Sequence, residues 1–216
     1  MIQSKDDYRF YLRADEIALG VDKSFPRIII EFMLNDIWAF EKLLRKSEFY
    51  INCKNSFFWK PYIAWLRYRC IKKGRKLGFE IPPNVFGPGL GIAHIGTLIV
   101  NPNVKVGTNC HIHSLVYIAT QATGFAGESK DCPTIGNNVF IGPNTTIVGE
   151  IELADDIAIG ANSYVATSFT ERGITIAVVP ARKVSTRGSK GLCGPQDRVA
   201  SFLARTKGFS NIHKCI

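Results

Sequence analysis

No stretch of eighteen uninterrupted apolar residues occurs in this chain of 216, and its opening, "MIQSKDDYRFYLRADE", holds no apolar core of signal-peptide type. A membrane-spanning helix and secretion by a cleaved leader are therefore not expected; a cytoplasmic protein is. No Cys-x-x-Cys pair is present. The six cysteines (Cys53, Cys70, Cys110, Cys132, Cys193, Cys215) are scattered, with no histidine at zinc spacing. Reduced thiols are expected, and neither a disulfide framework nor a metal site. Histidine is scarce, four residues in all, and acidic side chains are fewer than basic ones, 18 against 27. Apolar residues are not scarce. At 46% of the chain they suffice for a real core, in one large domain or two small ones, and argue against disorder.

The net charge of +9 suits nucleic acid, anionic lipid or a polyanionic small molecule such as a nucleotide cofactor. Much of it lies in "RYRCIKKGRK" (67–76) and after Pro180. A solvated basic face explains the first cluster without any partner. No alternation of aromatic and basic residues marks an open sheet face, so no nucleic-acid partner is expected.

The chain divides near residue 80. Before it, three segments have helical spacing. The first runs from about Lys5 to Leu19 behind a cap at Ser4. The second begins after Pro26 and carries Ile29, Phe32, Met33, Ile37, Phe40, Leu43 and Leu44 at spacings of three and four. The third, "FFWKPYIAWLRYRCIKKGRKLG", sets aromatics on one side and Lys/Arg on the other, with Gly78 as its stop. That helix either docks its aromatic face on its neighbours or lies on a membrane surface, a peripheral contact of the kind basic amphipathic helices make.

After Pro82 and Pro83 the period changes to six. Val100, Val106, Ile112 and Ile118 form one run, and Ile135, Ile141, Ile147, Leu153, Ile159 and Val165 a second. A helix repeats its apolar residues every three or four positions and a half-buried strand every two, so six is neither. A short strand and a turn use six residues, three such units close a triangular coil of eighteen, and Ile141 then stacks on Ile159. This predicts a parallel β-helix of hexapeptide repeats. The fold class is α+β: a helical region over 1–79, the β-helix over 80–184, and a tail over 185–216 with one short helix near 196–206 carrying Val199, Phe202 and Leu203 on one side. The tail is expected to cover an open end of the prism.

Two irregularities stand out. "ATQATGFAGESKDCP" (119–133) is too long for one edge of the prism and should leave it as a loop. Counting back by sixes from Val100 lands on His94 and Pro88, neither suited to an apolar column, so the register must break there. His94 sits at this break among glycines, with Glu80 fourteen residues upstream. A neutral imidazole can take a proton from a hydroxyl, and a carboxylate can hold its tautomer; a structural histidine is the alternative. His111 and His113 flank Ile112 and should point outward, and His213 lies in a polar tail.

Residues 80–184 resemble the serine acetyltransferase branch of the left-handed β-helix acyltransferases. "FEIPPNVFGPGLGIAHIGTLIVN" matches that branch's opening, with Glu80 in place of its aspartate and one residue fewer before the histidine. "IAIGANSYV" and "AVVPARKV" match its close, with Val179 where glycine is usual. The resemblance implies left-handed winding, a homotrimer with sites between subunits, and direct acetyl transfer from acetyl-CoA to a hydroxyl with His94 as general base oriented by Glu80. It also implies a cofactor groove at Ala119, Thr120, Gly142 and Ala161, with Arg182 and Lys183 toward the CoA phosphates unless these are ordinary surface charges.

The acceptor side departs from that branch. Ala93 stands where an aspartate precedes the histidine, Asp131 and Cys132 stand where an Arg-His pair precedes proline, and the Asp-Pro-Ala motif of the helical region is missing. "CPTIG" resembles the exopolysaccharide acetyltransferases of the colanic acid type instead. The favoured acceptor on these grounds is a sugar hydroxyl of a capsular or exopolysaccharide precursor, with Ala93, Asp131 and Cys132 about the acceptor. The alternatives are serine O-acetylation and a non-enzymatic trimer scaffold.

Overall fold

The computed structural model describes residues 1–21, 36–54, 56–121, 131–192 and 194–206. Helix α1 (Lys5–Ala18) starts where its cap requires: Ser4 Oγ accepts from the Asp7 amide at 3.0 Å. Helix α2 spans Asp36–Cys53, and the earlier part of the expected second helix lies outside the described residues. The third segment is a 3₁₀ turn, Phe57–Trp59, running into α3 (Lys60–Leu77). Gly78 ends it in the left-handed region at φ 83°, where a side chain would be strained.

Three sheets then form the faces of a prism. Sheet A holds β1 (Phe79–Glu80), β3 (Leu98–Val100), β6 (Val116–Ala119), β9 (Thr146–Val148) and β12 (Tyr164–Val165). Sheet B holds β4 (Lys105–Val106), β7 (Thr134–Ile135) and β10 (Glu152–Leu153). Sheet C holds β2 (Gly91–Ile92), β5 (His111–Ile112), β8 (Phe140–Ile141), β11 (Ala158–Ile159) and β13 (Thr175–Ala177), finished by the antiparallel β14 (Arg182–Ser185). The chain visits B, C and A in turn, and every pairing but the last is parallel. Ile141 pairs with Ile159 as the six-residue period requires, and all ten anchors are buried, stacked in one column per sheet and meeting in a single core.

Both irregularities are visible in the register. Ile112 pairs with Ile141, twenty-nine residues on, where Ile141 to Ile159 is eighteen; the difference of eleven is the excursion after sheet A. Its ends, at Gln121 and Asp131, are described, and residues 122–130 lie outside the description. At the start, Ile92 pairs with Ile112, twenty residues on. The inward position is therefore Ile92, and two extra residues enlarge the turn that carries His94.

Between sheets, the residue three past the anchor takes positive φ: Asn109, Asn138 and Asp156 on the B-to-C corner, and Leu115, Asn144 and Asn162 on the C-to-A corner. Asn and Asp tolerate that region, and their side chains link coil to coil, with Asn109 to Asn138 at 2.8 Å and Asn138 to Asp156 at 2.9 Å.

One buried charged group joins the helices to the first coil. Arg45 of α2 donates to Asp15 of α1, to Glu48, and to the carbonyls of Phe86 (2.8 Å) and Gly87 (2.7 Å). Asp15 accepts in turn from the Gly89 and Leu90 amides. Burial opposes the guanidinium charge, but Asp15 and Glu48 outweigh it and the Arg45 pKa is raised.

The described part of the tail, as far as residue 206, runs along a corner of the prism rather than over an end. From β14 it returns along the B-to-C corner, where Ser189 Oγ donates to the Asn138 carbonyl and its amide to the Asp156 carbonyl. Helix α4 (Gly194–Arg205) follows, exchanges hydrogen bonds between Gln196 and Asn109, sets Val199 against Gly89, and stacks Phe202 on Phe10 of α1 at 5.5 Å. The reason is that the corner offers a ladder of polar partners.

Candidate functional site

The C-to-A corner gathers the candidate residues. His94 stands exposed in the enlarged turn after β2. Three backbone bonds pin that turn: Ala93 N to Ile112 O, Gly96 N to Leu77 O, and Leu98 N to Gly78 O, at 2.9–3.0 Å. The fit is close, since a Cβ on Gly78 would lie 2.9 Å from the Gly96 carbonyl. A histidine on so fixed a turn is held in place without its own side chain being buried.

Following the register down the corner, the residue after each anchor is Ala93, His113, Gly142, Gly160 and Ala177. Four are small. At Gly142 the coils touch: a Cβ there would meet Ala161 N and Ile159 O at 2.8 Å. The corner is thus a shallow track descending from His94 past Gly142 and Ala161 toward β14. At about 4.8 Å per coil, the three steps from His94 to Ala161 cover about 14 Å.

His113 is the exception in this column; its spacing predicts only that it points outward, not that it joins the His94 corner. Its ring lies 5.5 Å from His94 and 5.4 Å from His111, and His111 stacks on Phe140 at 5.6 Å. His111 and His113 do point away from the prism core, but they are partly covered. Burial, then the neighbouring imidazoles, pulls His111 down to about 4 and lowers His113 likewise, so both are neutral at pH 7. One bulky residue in a column of small ones was the signal available in the sequence. His213 lies outside the described residues.

The remaining candidates do not converge within one chain. Glu80 is exposed on the outer row of sheet A, in register with Ile99, Tyr117, Thr146 and Tyr164. The alternation that buries Phe79 and Ile81 turns Glu80 outward, and no hydrogen bond or ion pair joins it to His94 among the described residues. Ala119 and Thr120 lie where the chain leaves sheet A, as do Asp131 and Cys132 where it returns. That corner is separated from the His94 corner by the width of sheet A, about 10 Å along Val116–Ala119. Cys132 is buried, and burial followed by the Asp131 charge raises its thiol pKa, which suits a packed thiol rather than a reactive one. Ala93 contributes a backbone bond and no charge. Arg182 is exposed without an ion-pair partner among the described residues, whereas Lys183 is held by Glu171 at 2.5 Å.

Residues 132–167 match the family model described as bacterial transferase hexapeptide (six repeats). Serine acetyltransferase from Synechococcus elongatus is 29% identical over 113 residues, 51% of this chain and 44% of that protein. The bifunctional protein GlmU of Clostridium novyi is 29% identical over 127 residues, 56% of this chain and 26% of that protein. The chain therefore spans less than half the length of the curated relatives it matches. Among solved structures, serine acetyltransferase from Brucella abortus strain S19 in complex with coenzyme A superposes with TM-score 0.66 at 22% identity, covering 85% of this chain and 70% of that one. The soybean serine acetyltransferase complexed with serine gives 0.66 at 22% identity, covering 83% and 70%.

This chain shares its fold with the serine acetyltransferases. The comparisons point to a transferase, and specifically to an acyltransferase. They also overturn the polysaccharide reading: these structures and the Synechococcus relative are serine acetyltransferases, so the findings favour the alternative acceptor. The Cys-Pro pair that suggested a sugar proves to be a buried lead-in to β7, with Cys132 packed rather than presented.

Proposed function

We propose that this protein transfers the acetyl group of acetyl-CoA to the hydroxyl of serine, with His94 as general base. The observation that carries this reading is the placement of an exposed histidine on a pinned turn at the head of a track of small residues, in the fold of serine acetyltransferases. His94 takes the hydroxyl proton as that oxygen attacks the thioester carbonyl; the tetrahedral intermediate then collapses, the C–S bond breaks, and the imidazolium returns the proton to the leaving thiolate. Backbone amides of the corner supply donors for the oxyanion. The track past Gly142 and Ala161 suits a thin pantetheine arm, and Arg182 is available for its phosphates.

The active unit in this proposal is a homotrimer of left-handed β-helices in the cytoplasm. Residues on two different corners would complete one site when one subunit's His94 corner meets its neighbour's Ala119–Cys132 corner. The face between those corners suits such packing: Ile99, Tyr117 and Tyr164 each stand 37% exposed on sheet A. Glu80 shares that outer row, so the carboxylate expected to orient His94 would do so within the assembled trimer.

Acetyl-CoA consumption with L-serine, measured for wild type and His94→Ala, tests the reading. Turnover with serine that falls about 10²–10⁴-fold in the variant is expected. Absence of serine turnover in the wild type, or turnover indifferent to His94, refutes it.

A further inference from the structure

Helix α3 spends only a narrow stripe on the rest of the protein. Leu66, Cys70, Gly74 and Leu77 are its buried residues, and they face α2 and β1. The other side is bare: Trp65, Tyr68 and Ile71 are 47, 60 and 50% exposed, and the 3₁₀ turn ahead of the helix presents Phe57 and Phe58 at 76 and 88%. Among the described residues nothing buries Phe57 or Phe58, and Trp65, Tyr68 and Ile71 are only about half covered, which leaves an apolar surface open to a partner.

Its charge narrows what that cover is. Between Lys60 and Lys76 there are seven Lys or Arg and no Asp or Glu. Of these, Lys73 is engaged by Asp36, while Arg69 sits over the Trp65 ring at 4.9 Å and Lys72 over Tyr68 at 5.9 Å. A second copy of the same face would bring lysine against lysine, so a self-complementary contact is disfavoured. Single-stranded nucleic acid would need open ring faces to stack on. Here Trp65 is stacked on Tyr62 at 5.5 Å and capped by Arg69. An anionic lipid surface satisfies both halves of the pattern: phosphates meet the cations, tryptophan and tyrosine suit the headgroup depth, and the paired phenylalanines reach the acyl boundary.

We propose that the face formed by the Phe57–Trp59 turn and α3 docks this protein on the surface of an anionic phospholipid bilayer. The helix lies in the headgroup plane with Phe57 and Phe58 as its inserted end. It rests on the membrane and does not span it, in keeping with the fact that no described helix is long and apolar enough to cross one. This inference does not depend on the acetyl acceptor.

Co-sedimentation of the full chain with vesicles tests it. Binding is expected to phosphatidylcholine vesicles containing phosphatidylglycerol and not to phosphatidylcholine alone, with partial release at high salt. Phe57→Ser/Phe58→Ser and Lys72→Glu/Arg75→Glu should each lower the bound fraction about tenfold, while the melting temperature and acetyl-CoA turnover stay at wild-type levels. The proposal fails if the wild type does not pellet with anionic vesicles, or if the phenylalanine variant binds as the wild type does, which would leave unspecific charge attraction. It fails equally if single-stranded RNA competes the vesicles away, or if either double variant changes the oligomeric state in solution, since the face would then serve nucleic acid or a second copy.

Discussion

Arg45 Nε lies 2.7 Å from Asp15 Oδ2 with both side chains wholly buried, and the same guanidinium holds two carbonyls of the first β-helical coil. This group fastens α1, α2 and the backbone just ahead of β2 together, and so fixes the coil that carries His94. Arg45→Ala would strand Asp15 and Glu48 without their cation. A loss of about 3–5 kcal/mol is expected, read as a lowered urea midpoint. Arg45→Lys should recover little, because an ammonium cannot reproduce the planar fork.

Glu41, one turn before Arg45, is buried with neither carboxylate oxygen hydrogen-bonded. It faces the open edge of β2, where the Ile92 amide offsets only part of the cost. Burial first, then the Asp15 charge, raises its pKa well above the ordinary 4.5. Between 4.5 and that raised value the folded chain keeps a proton that the unfolded chain releases, so stability declines as pH rises through the window. Glu41→Gln removes the titrating group. Its melting temperature should exceed the wild type's at pH 8, with the margin shrinking toward pH 4; a margin independent of pH would show that the carboxyl is not the cause.

His111 acts in the opposite direction. Its pKa is depressed to about 4, so between about 6.5 and 4 the unfolded chain binds the proton and the folded chain does not. Stability is present above pH 6.5 and drains away on acidification, by at most about 3 kcal/mol for this group. His111→Phe keeps a ring against Phe140 and should flatten part of that acid limb in urea melts at successive pH values; His113, whose pKa is lowered as well, acts in the same direction.

Gly142 is the tightest point of the corner track. Gly142→Ala would drive a methyl to 2.8 Å from two backbone atoms of the next coil, which cannot swing aside. About 1–3 kcal/mol of stability should be lost. Gly194→Ala, where nothing lies within 4 Å, is the control and should change little.

The period of six made the prism legible, because an anchor and its neighbour eighteen residues on must share a column. Gly78 and Ser4 were legible for the same local reason, each satisfying a helix end. Other features depend on partners distant in the chain. Nothing near Arg45 in sequence shows that it will meet Phe86 and Gly87, and nothing near Ser189 shows that it will meet Asn138. His94 could be located by the broken register. The meeting of His94 with His113 required knowing that the break adds two residues rather than four, which sets the coil on which each histidine lands.

A stack of coils is ordinarily a line, in which each unit feels only its neighbours and the two ends know nothing of each other. The tail alters that connectivity. By leaving the final coil and running back along the asparagine corner to rest Val199 on Gly89 and Phe202 on Phe10, it makes the first and last turns contiguous. The line becomes a ring, in which the first coil is held by the chain that has just left the last.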